Sequence, residues 1–209
     1  QTILDAIENV DQSYVLAIEL IKNCKGRIIL AGVGKSGLVG KKISATFASL
    51  GTSSLFLHPA DAIHGDLGMI KKDDVIIMLS NSGETSELIH LQSFLEDQGN
   101  KTILISGGVK SSLAKYATVT LNAQIGIEAC THNLAPSSST SLAMAIGDAL
   151  AIAVSKLKNF KVDDFAKYHP AGQLGYRLIT KVSEVMTKDL LPCCSPETSI
   201  KDLFYNLYH

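Results

Sequence analysis

The sequence predicts an α/β fold, a doubly wound α/β/α sandwich built on a five-stranded parallel sheet. Three observations predict it. Short apolar runs alternate with longer stretches of helical periodicity, as crossovers between parallel strands require. The run Val75-Ile76-Ile77-Met78-Leu79 is apolar at every position, which suits a strand covered on both faces. Glycines stand where helices should stop, at Gly26, Gly51 and Gly99.

Taken in order, residues 2–23 place Ile3, Leu4, Ile7, Val10, Tyr14, Ala17, Ile18 and Ile21 on one stripe and predict a single helix. Ile28-Ile29-Leu30-Ala31, ending in Gly32, is the first strand. Ser36 opens the next helix, which buries Val39, Ile43, Phe47 and Leu50. Leu55-Phe56-Leu57 and Val75–Leu79 are the second and third strands. A helix from about Thr85 to Gln98 follows, then Thr102–Ile105, a short helix over Ser111–Tyr116, and Val119–Leu121. Ser141–Leu157 is Ala-rich, with Leu142, Ile146, Leu150 and Val154 on one face. Beyond Tyr176 the pattern changes to Val182, Val185 and Met186, then Pro192 and Pro196. An amphipathic helix through Ile200, Leu203, Phe204 and Leu207 closes the chain. We divide the chain into residues 1–178, one α/β domain with its N-terminal helix, and a tail of residues 179–209.

Composition excludes several classes of function. The 209 residues are 46% hydrophobic, enough to bury a core and too apolar for a disordered chain. A net charge of −1 offers no footprint for nucleic acid or an anionic membrane. No apolar run is read as approaching the roughly 18–20 residues of a membrane span. Asp5, Glu8 and Asp11 interrupt any resemblance of the start to a signal peptide. Cys24, Cys130, Cys193 and Cys194 form no CxxC pair, so a reduced, cytoplasmic chain is expected. Only 19% of residues are charged, which points to surface buried between subunits.

In doubly wound sheets, ligands bind beyond the carboxyl ends of the strands. The loops at those ends hold the candidates. Gly32-Val33-Gly34-Lys35-Ser36-Gly37 fits G-x-G-x-x-G, yet the acidic residue that would hold a ribose is replaced by His58-Pro59. The Walker pattern fails as well, because Ile29 stands where its first glycine belongs. What remains is a tight turn presenting Gly34, Lys35 and Ser36 at a helix start, suited to a sugar phosphate. Ser80, Ser82 and Thr85, in Ser80-Asn81-Ser82-Gly83-Glu84-Thr85, offer three hydroxyls as a neutral phosphate cradle. An ordinary N-cap explains only one of them. Glu87 lies one turn further on, where it either reaches back to the loop or complements the helix dipole.

His58 and His64 flank the loop after the second strand and read as contacts to sugar hydroxyls, with His58 a contact for inhibitory zinc. Glu128, between Ile127 and Ala129-Cys130, is expected to be partly desolvated and therefore more basic, as a general base near neutral pH should be. The competing reading makes it a cap or an ion-pair partner for the following helix. Cys130 reads as packing rather than as a nucleophile. His169, before Pro170-Ala171-Gly172, is placed for proton transfer, including into a neighbouring subunit's site.

Together these motifs carry a resemblance. Gly-Val-Gly-Lys-Ser-Gly, His-Gly-Asp-Leu-Gly, Ser-Asn-Ser-Gly-Glu-Thr-Ser-Glu, Glu-Ala-Cys, Leu-Ala-Pro-Ser-Ser-Ser-Thr and His-Pro-Ala-Gly-Gln-Leu-Gly occur in order. The chain is identified as a member of the SIS (sugar isomerase) domain proteins and resembles D-arabinose 5-phosphate isomerases, the KdsD/KpsF/GutQ family. The resemblance implies interconversion of D-ribulose 5-phosphate and D-arabinose 5-phosphate, which supplies Kdo for lipopolysaccharide or capsule. It also implies no cofactor and a homotetramer. The family's functional lysine falls on Lys35, its glutamates on Glu87 and Glu128 and its histidine on His169. Its sugar-contacting and metal-susceptible histidines fall on His58 and His64, with Gly51 and Thr52 nearby. Two departures stand out. Thr131-His132-Asn133 replaces the family's Pro-Leu-Gly, and Ala171 replaces a glycine. Val182–Thr187 resembles the start of a CBS domain cut short.

The expected chemistry is aldose–ketose isomerisation through a cis-enediol(ate). Glu128 is the expected base, Lys35 steadies the oxyanion, His169 opens the ring and Glu87 orients the sugar. No metal is required. The alternatives are a non-catalytic SIS module that senses a sugar phosphate, and an isomerase of another sugar phosphate.

Overall fold

A computed structural model describes residues 1–169, 180–186 and 194–208, the side chains of 206–208 excepted. Strands β1 (Ile28–Gly32), β2 (Ser54–Leu57), β3 (Val75–Leu79), β4 (Lys101–Ser106) and β5 (Val119–Asn122) form one all-parallel sheet in the order β2-β1-β3-β4-β5. The chain reverses its direction of winding between β1 and β3, which pair from Ile28↔Val75 to Gly32↔Leu79. A crevice must therefore open beyond Gly32 and Leu79, because the crossovers leaving these two strands depart to opposite faces.

The alternation of strand side chains builds two cores. Ile28, Leu30, Val75, Ile77, Leu79, Ile103, Ile105 and Leu121 face one side. There they meet α2 (Gln12–Lys22), α3 (Gly34–Ser49) and α7 (Ser138–Leu157) through Ile21, Phe47, Leu142, Leu150 and Val154. Ile29, Ala31, Ile76, Met78 and Leu104 face the other side, against α4 (Pro59–Ile63), α5 (Ser86–Gln98) and α6 (Ser112–Tyr116). β1 and β3 are buried along their whole length, which explains their uninterrupted apolar sequence.

Several boundaries differ from the sequence reading. Residues 2–23 are not one helix: α1 (Thr2–Ile7) ends, and α2 restarts behind Asp11, whose carboxylate accepts from the Ser13 amide. An aspartate cap terminates an apolar stripe that periodicity alone runs through. Helix α3 starts at Gly34, two residues before Ser36. The loop after β2 contains α4, with His58 as its N-cap. Helix α7 starts at Ser138 and is long and apolar enough, by composition, to cross a membrane, contrary to the expectation that no run approaches that length. Here it serves as a core helix, with Asp148 paired to Lys42 of α3. Beyond α8 (Val162–Tyr168), the described tail holds α9 (Val182–Val185) and α10 (Ile200–Tyr208). The Ala171 departure and Cys193 lie outside the described residues.

Candidate active site

The carboxyl edge of the sheet carries two adjoining hollows. The first, a cleft of about 60 Å³, lies over the ends of β3 and β4 and includes Ser36, Ser80, Asn81, Ser106, Ser139 and Thr140 in its lining. The second, about 450 Å³, lies on the β2 side of the glycine turn, where Lys35, Lys41 and His58 line it. The turn separates them because Gly37 is pressed onto the end of β1: a Cβ there would stand 2.7 Å from the Gly32 carbonyl oxygen. Close strand–helix packing accounts for this part of the G-x-G-x-x-G pattern without any nucleotide.

The serine loop is built differently from a free cradle. Ser80 is buried; its hydroxyl accepts from the Gly83 amide at 3.0 Å and shares a 2.8 Å bond with the Thr85 hydroxyl. Both hydroxyls therefore fix the loop's shape, and Thr85 occupies the N-cap position of α5 without a side-chain capping bond. Ser82 is exposed and accepts from the Glu84 amide. Among the described residues, the Ser36 hydroxyl has no protein partner, which leaves it for a ligand in the cleft.

Glu87 accepts from the Ser86 hydroxyl at 2.9 Å. Its carboxyl is held below its ordinary value by its own backbone N–H, then by Ser86, with the charges of His58 and His90 adding to the effect. His58 Nδ1 accepts from the Ala60 amide at 3.3 Å and thereby caps α4, and its ring stands edge-on to Phe56. His64 ends the same helix and is exposed.

Glu128 overturns the expected basicity. Burial does push its carboxyl up, as expected. Hydrogen bonds from the Ser139 hydroxyl, the Ser137 and Ser139 amides and the Ser137 hydroxyl outweigh it and bring the carboxyl down to about 2. Desolvation fails to win because these donors serve the ionised form. The capping alternative is the one observed: Glu128 occupies the start of α7 as an internal anion, where a phosphate would otherwise bind.

The loop between Glu128 and α7 is held from within. Asn133 has φ 53° and accepts from the Glu128 amide at 2.6 Å. Asparagine tolerates the left-handed region better than most residues, so replacing the family's glycine here keeps the turn. Cys130 does more than pack. Its Sγ accepts from the Leu134 and Ala135 amides, each at 3.0 Å, and these amides hold the thiol below its ordinary value.

Three expected site residues lie elsewhere. Gly51 and Thr52 precede β2, at the amino edge of the sheet, where Thr52 is buried and accepts from Lys158. Phe160 sits against Gly51 and stacks on Tyr168, so His169 belongs to the same edge. His169 stacks on Phe165 at 3.9 Å, and its Nδ1 lies 2.9 Å from the Phe165 carbonyl. A carbonyl only accepts, so the proton belongs on Nδ1, leaving Nε2 as the acceptor. Among the described residues, no three His, Cys, Asp or Glu side chains stand together as a metal site. Sequence reasoning missed Lys41, Asn81, Ser106, Ser139 and Thr140, which line the hollows, because a lysine within a helix and an amide or hydroxyls at strand and helix ends carry no distinctive pattern.

Comparison with known proteins gives this geometry a context. The family model of the SIS domain matches residues 20–153. The arabinose 5-phosphate isomerase KpsF of Escherichia coli is 50% identical over 194 residues, which cover 93% of this chain and 61% of that protein. The arabinose 5-phosphate isomerase KdsD of Pseudomonas aeruginosa is 50% identical over 186 residues, 87% of this chain and 57% of that protein. This chain thus spans about three fifths of the length of the curated relatives it matches. An Escherichia coli CFT073 protein solved in complex with arabinose 5-phosphate superimposes with a TM-score of 0.76 at 42% identity, covering 81% of this chain and 92% of that one.

Proposed function

This chain belongs to the SIS domain family, and we propose that it is an aldose–ketose isomerase interconverting D-ribulose 5-phosphate and D-arabinose 5-phosphate. One observation carries the reading. A hydroxyl-lined cleft at the sheet's switch point adjoins a hollow holding Lys35 and His58, with Glu87 near enough to feel the His58 charge. The names of the KpsF and KdsD relatives support the substrate.

In this reading the phosphate enters the cleft beside Ser36 and the Ser80–Thr85 loop, because Glu128 already fills the start of α7. The sugar then extends over the glycine turn toward Lys35. A carboxylate takes the proton from the carbon beside the carbonyl and returns it to the neighbouring carbon. A second proton passes between the two oxygens, and Lys35 steadies the negative charge of the enediolate. Glu128, held at about 2, is clamped by four donors from Ser137 and Ser139. Glu87, also held below its ordinary value, has only the Ser86 hydroxyl as a side-chain donor among the described residues, so Glu87 takes the role of base and Glu128 fixes the cleft wall. Gly34 shapes the turn, and His64, exposed at the other end of α4 from His58, contacts sugar hydroxyls. No cofactor or metal enters the scheme.

His169, Gly51 and Thr52 act on substrate only across a subunit boundary, because one chain puts them at the opposite edge of the sheet. A homotetramer with shared sites fits this placement. The exposed apolar side chains of Ile3, Leu4, Ile7 and Val10 beside α7 supply the surface for it. Free thiols at Cys24, Cys130 and Cys194 fit a cytoplasmic enzyme. Residues 179–209, including α9 and α10, read as the opening of a CBS-like unit, and the product as a precursor of Kdo.

The test is a coupled assay: ribulose 5-phosphate is supplied, the aldose is measured, and other pentose and hexose phosphates form the panel. Turnover confined to ribulose and arabinose 5-phosphates is expected. Binding without turnover of any of them would instead make the protein a sensor. Mixing Lys35→Ala with His169→Ala subunits should restore part of the activity. No recovery despite confirmed subunit exchange would place each site within one chain.

A further inference from the structure

Adjacent lysines on α3 have different fates. Lys42 is paired with Asp148 of α7. Among the described residues, Lys41 has no ion-pair partner, and its Nζ stands 5.3 Å above the Phe56 ring. That ring is fixed in place. It lies against the glycine face of α3, where a Cβ at Gly40 would meet it at 3.2 Å, and it holds the His58 ring edge-on at 6.4 Å. Phe56 therefore positions Lys41 and His58 together, on the wall of the hollow that also holds Lys35. An aromatic face attracts an ammonium without neutralising it, so the field of Lys41 still projects into the hollow.

We propose that Lys41 is a substrate-capturing residue, which with Lys35 makes this hollow a two-lysine trap that draws a phosphorylated, dianionic sugar toward the adjoining cleft. The proposal rests on the sugar-phosphate reading above and adds to it a residue and a mode of action. Lys41 acts through long-range attraction, raising the encounter rate and ground-state binding, and leaves the proton transfers to other groups. Its effect must therefore fall on KM and on kcat/KM, and must fade as salt screens it over about 10 Å at 0.1 M.

The test compares Lys41→Met, Lys41→Arg and Lys42→Met in the intact protein. Met keeps an unbranched apolar stem over Phe56 and removes the charge. Lys41→Met should lose about tenfold in kcat/KM at low salt with kcat within about twofold, and the deficit should shrink to about twofold at 0.5 M salt. Lys41→Arg should restore wild-type behaviour. Lys42→Met removes the same formal charge from the same helix, and should lower the melting temperature while leaving the salt dependence of kcat/KM unchanged. Calorimetry with inorganic phosphate supplies a readout independent of turnover, with weaker binding expected in Lys41→Met. A wild-type salt profile and phosphate affinity in Lys41→Met would overturn the proposal, as would an equal loss in Lys42→Met. If the wild-type protein turned over no pentose phosphate while Lys41→Met still lost phosphate binding, the reaction would be wrong and the trap would stand.

Discussion

Asp74 and Glu128 are two carboxylates held by backbone amides at opposite edges of one sheet. Asp74, just before β3, is buried and accepts from the amides of Arg27 and Lys71 and from the Arg27 guanidinium. Burial pushes its carboxyl up, but these bonds prevail and leave it below its ordinary value. Glu128, beyond β5, is half-buried at the margin of the cleft, and its partners come from one short segment, Ser137–Ser139. The same device serves different ends. At the amino edge the bonds of Asp74, with those of Asn100 to the carbonyls of Lys71, Lys72 and Asp74, tie together the starts of β1, β3 and β4. At the carboxyl edge the bonds hold a loop, while Lys35, Lys41 and Ser36 stay without protein hydrogen-bond or ion-pair partners among the described residues. The amino edge bonds strand start to strand start and is scaffold, whereas the carboxyl edge turns two cations and a hydroxyl toward the hollows at the switch point, as a site does.

Breaking the carboxyl edge should cost activity before stability. Glu87→Gln should lower kcat by about 10²–10⁴-fold, the usual contribution of a general base, with the melting temperature nearly unchanged. Glu128→Gln should cost less in kcat and raise KM, since it loosens the wall rather than deleting the base. The reverse ranking in steady-state kinetics would mean that Glu128 leaves its clamp and takes the proton itself.

Breaking the amino edge should do the opposite. Asp74→Ala leaves two amides unpaired and strips the Arg27 guanidinium of its carboxylate, with only the Met69 carbonyl left to it, a loss of about 3 kcal/mol in unfolding free energy. Urea unfolding checks this, and kcat measured on the folded protein at low temperature should stay close to wild type.

Acid should act at both edges, because both carboxyls are depressed in the fold. A depressed carboxyl contributes stability above its unfolded value and loses it as pH falls toward the folded one. For Glu128 the window runs from about 4.5 down to about 2. Unfolding free energy should fall with pH across that window, and less steeply in Glu128→Gln than in wild type.

The smallest effect concerns metal. Activity should survive exhaustive chelation, whereas added zinc should inhibit by taking His58 or His64. Zinc on His58 Nε2 would move the remaining proton to Nδ1, turning a donor against the Ala60 amide that now donates there. His58→Asn keeps a capping side chain on α4 and should weaken zinc inhibition severalfold, measured as the inhibitory concentration.

The strands were legible because burial on both faces leaves nothing but apolar residues, as in Val75–Leu79. The helix ends were legible where Gly99 or Ser111 stops or caps one. The split between α1 and α2 was not, since an aspartate in a polar stretch looks the same whether it caps a helix or faces solvent. Within the site, Lys35 and the Ser80–Thr85 loop were legible as strand-to-helix turns, a local signature. Lys41 was not, because lysine is ordinary on a helix surface until the neighbouring strand brings Phe56 beneath it.

The sequence by itself determined the parallel sheet, the edge at which chemistry gathers and, through its ordered motifs, the family. These are properties of local periodicity and of turns within a few residues, which the chain states directly. Only the tertiary structure decided how the carboxylates behave and how the expected residues divide between two edges. Whether Glu128 is desolvated toward basicity or clamped toward acidity depends on donors nine and eleven residues away that fold back onto it. His169, Gly51 and Thr52 stand apart from the cleft because α3 and α7 each run the height of the sheet, returning the chain to its amino edge. Electrostatics follows distance in space, and distance in space is not written in the order of residues.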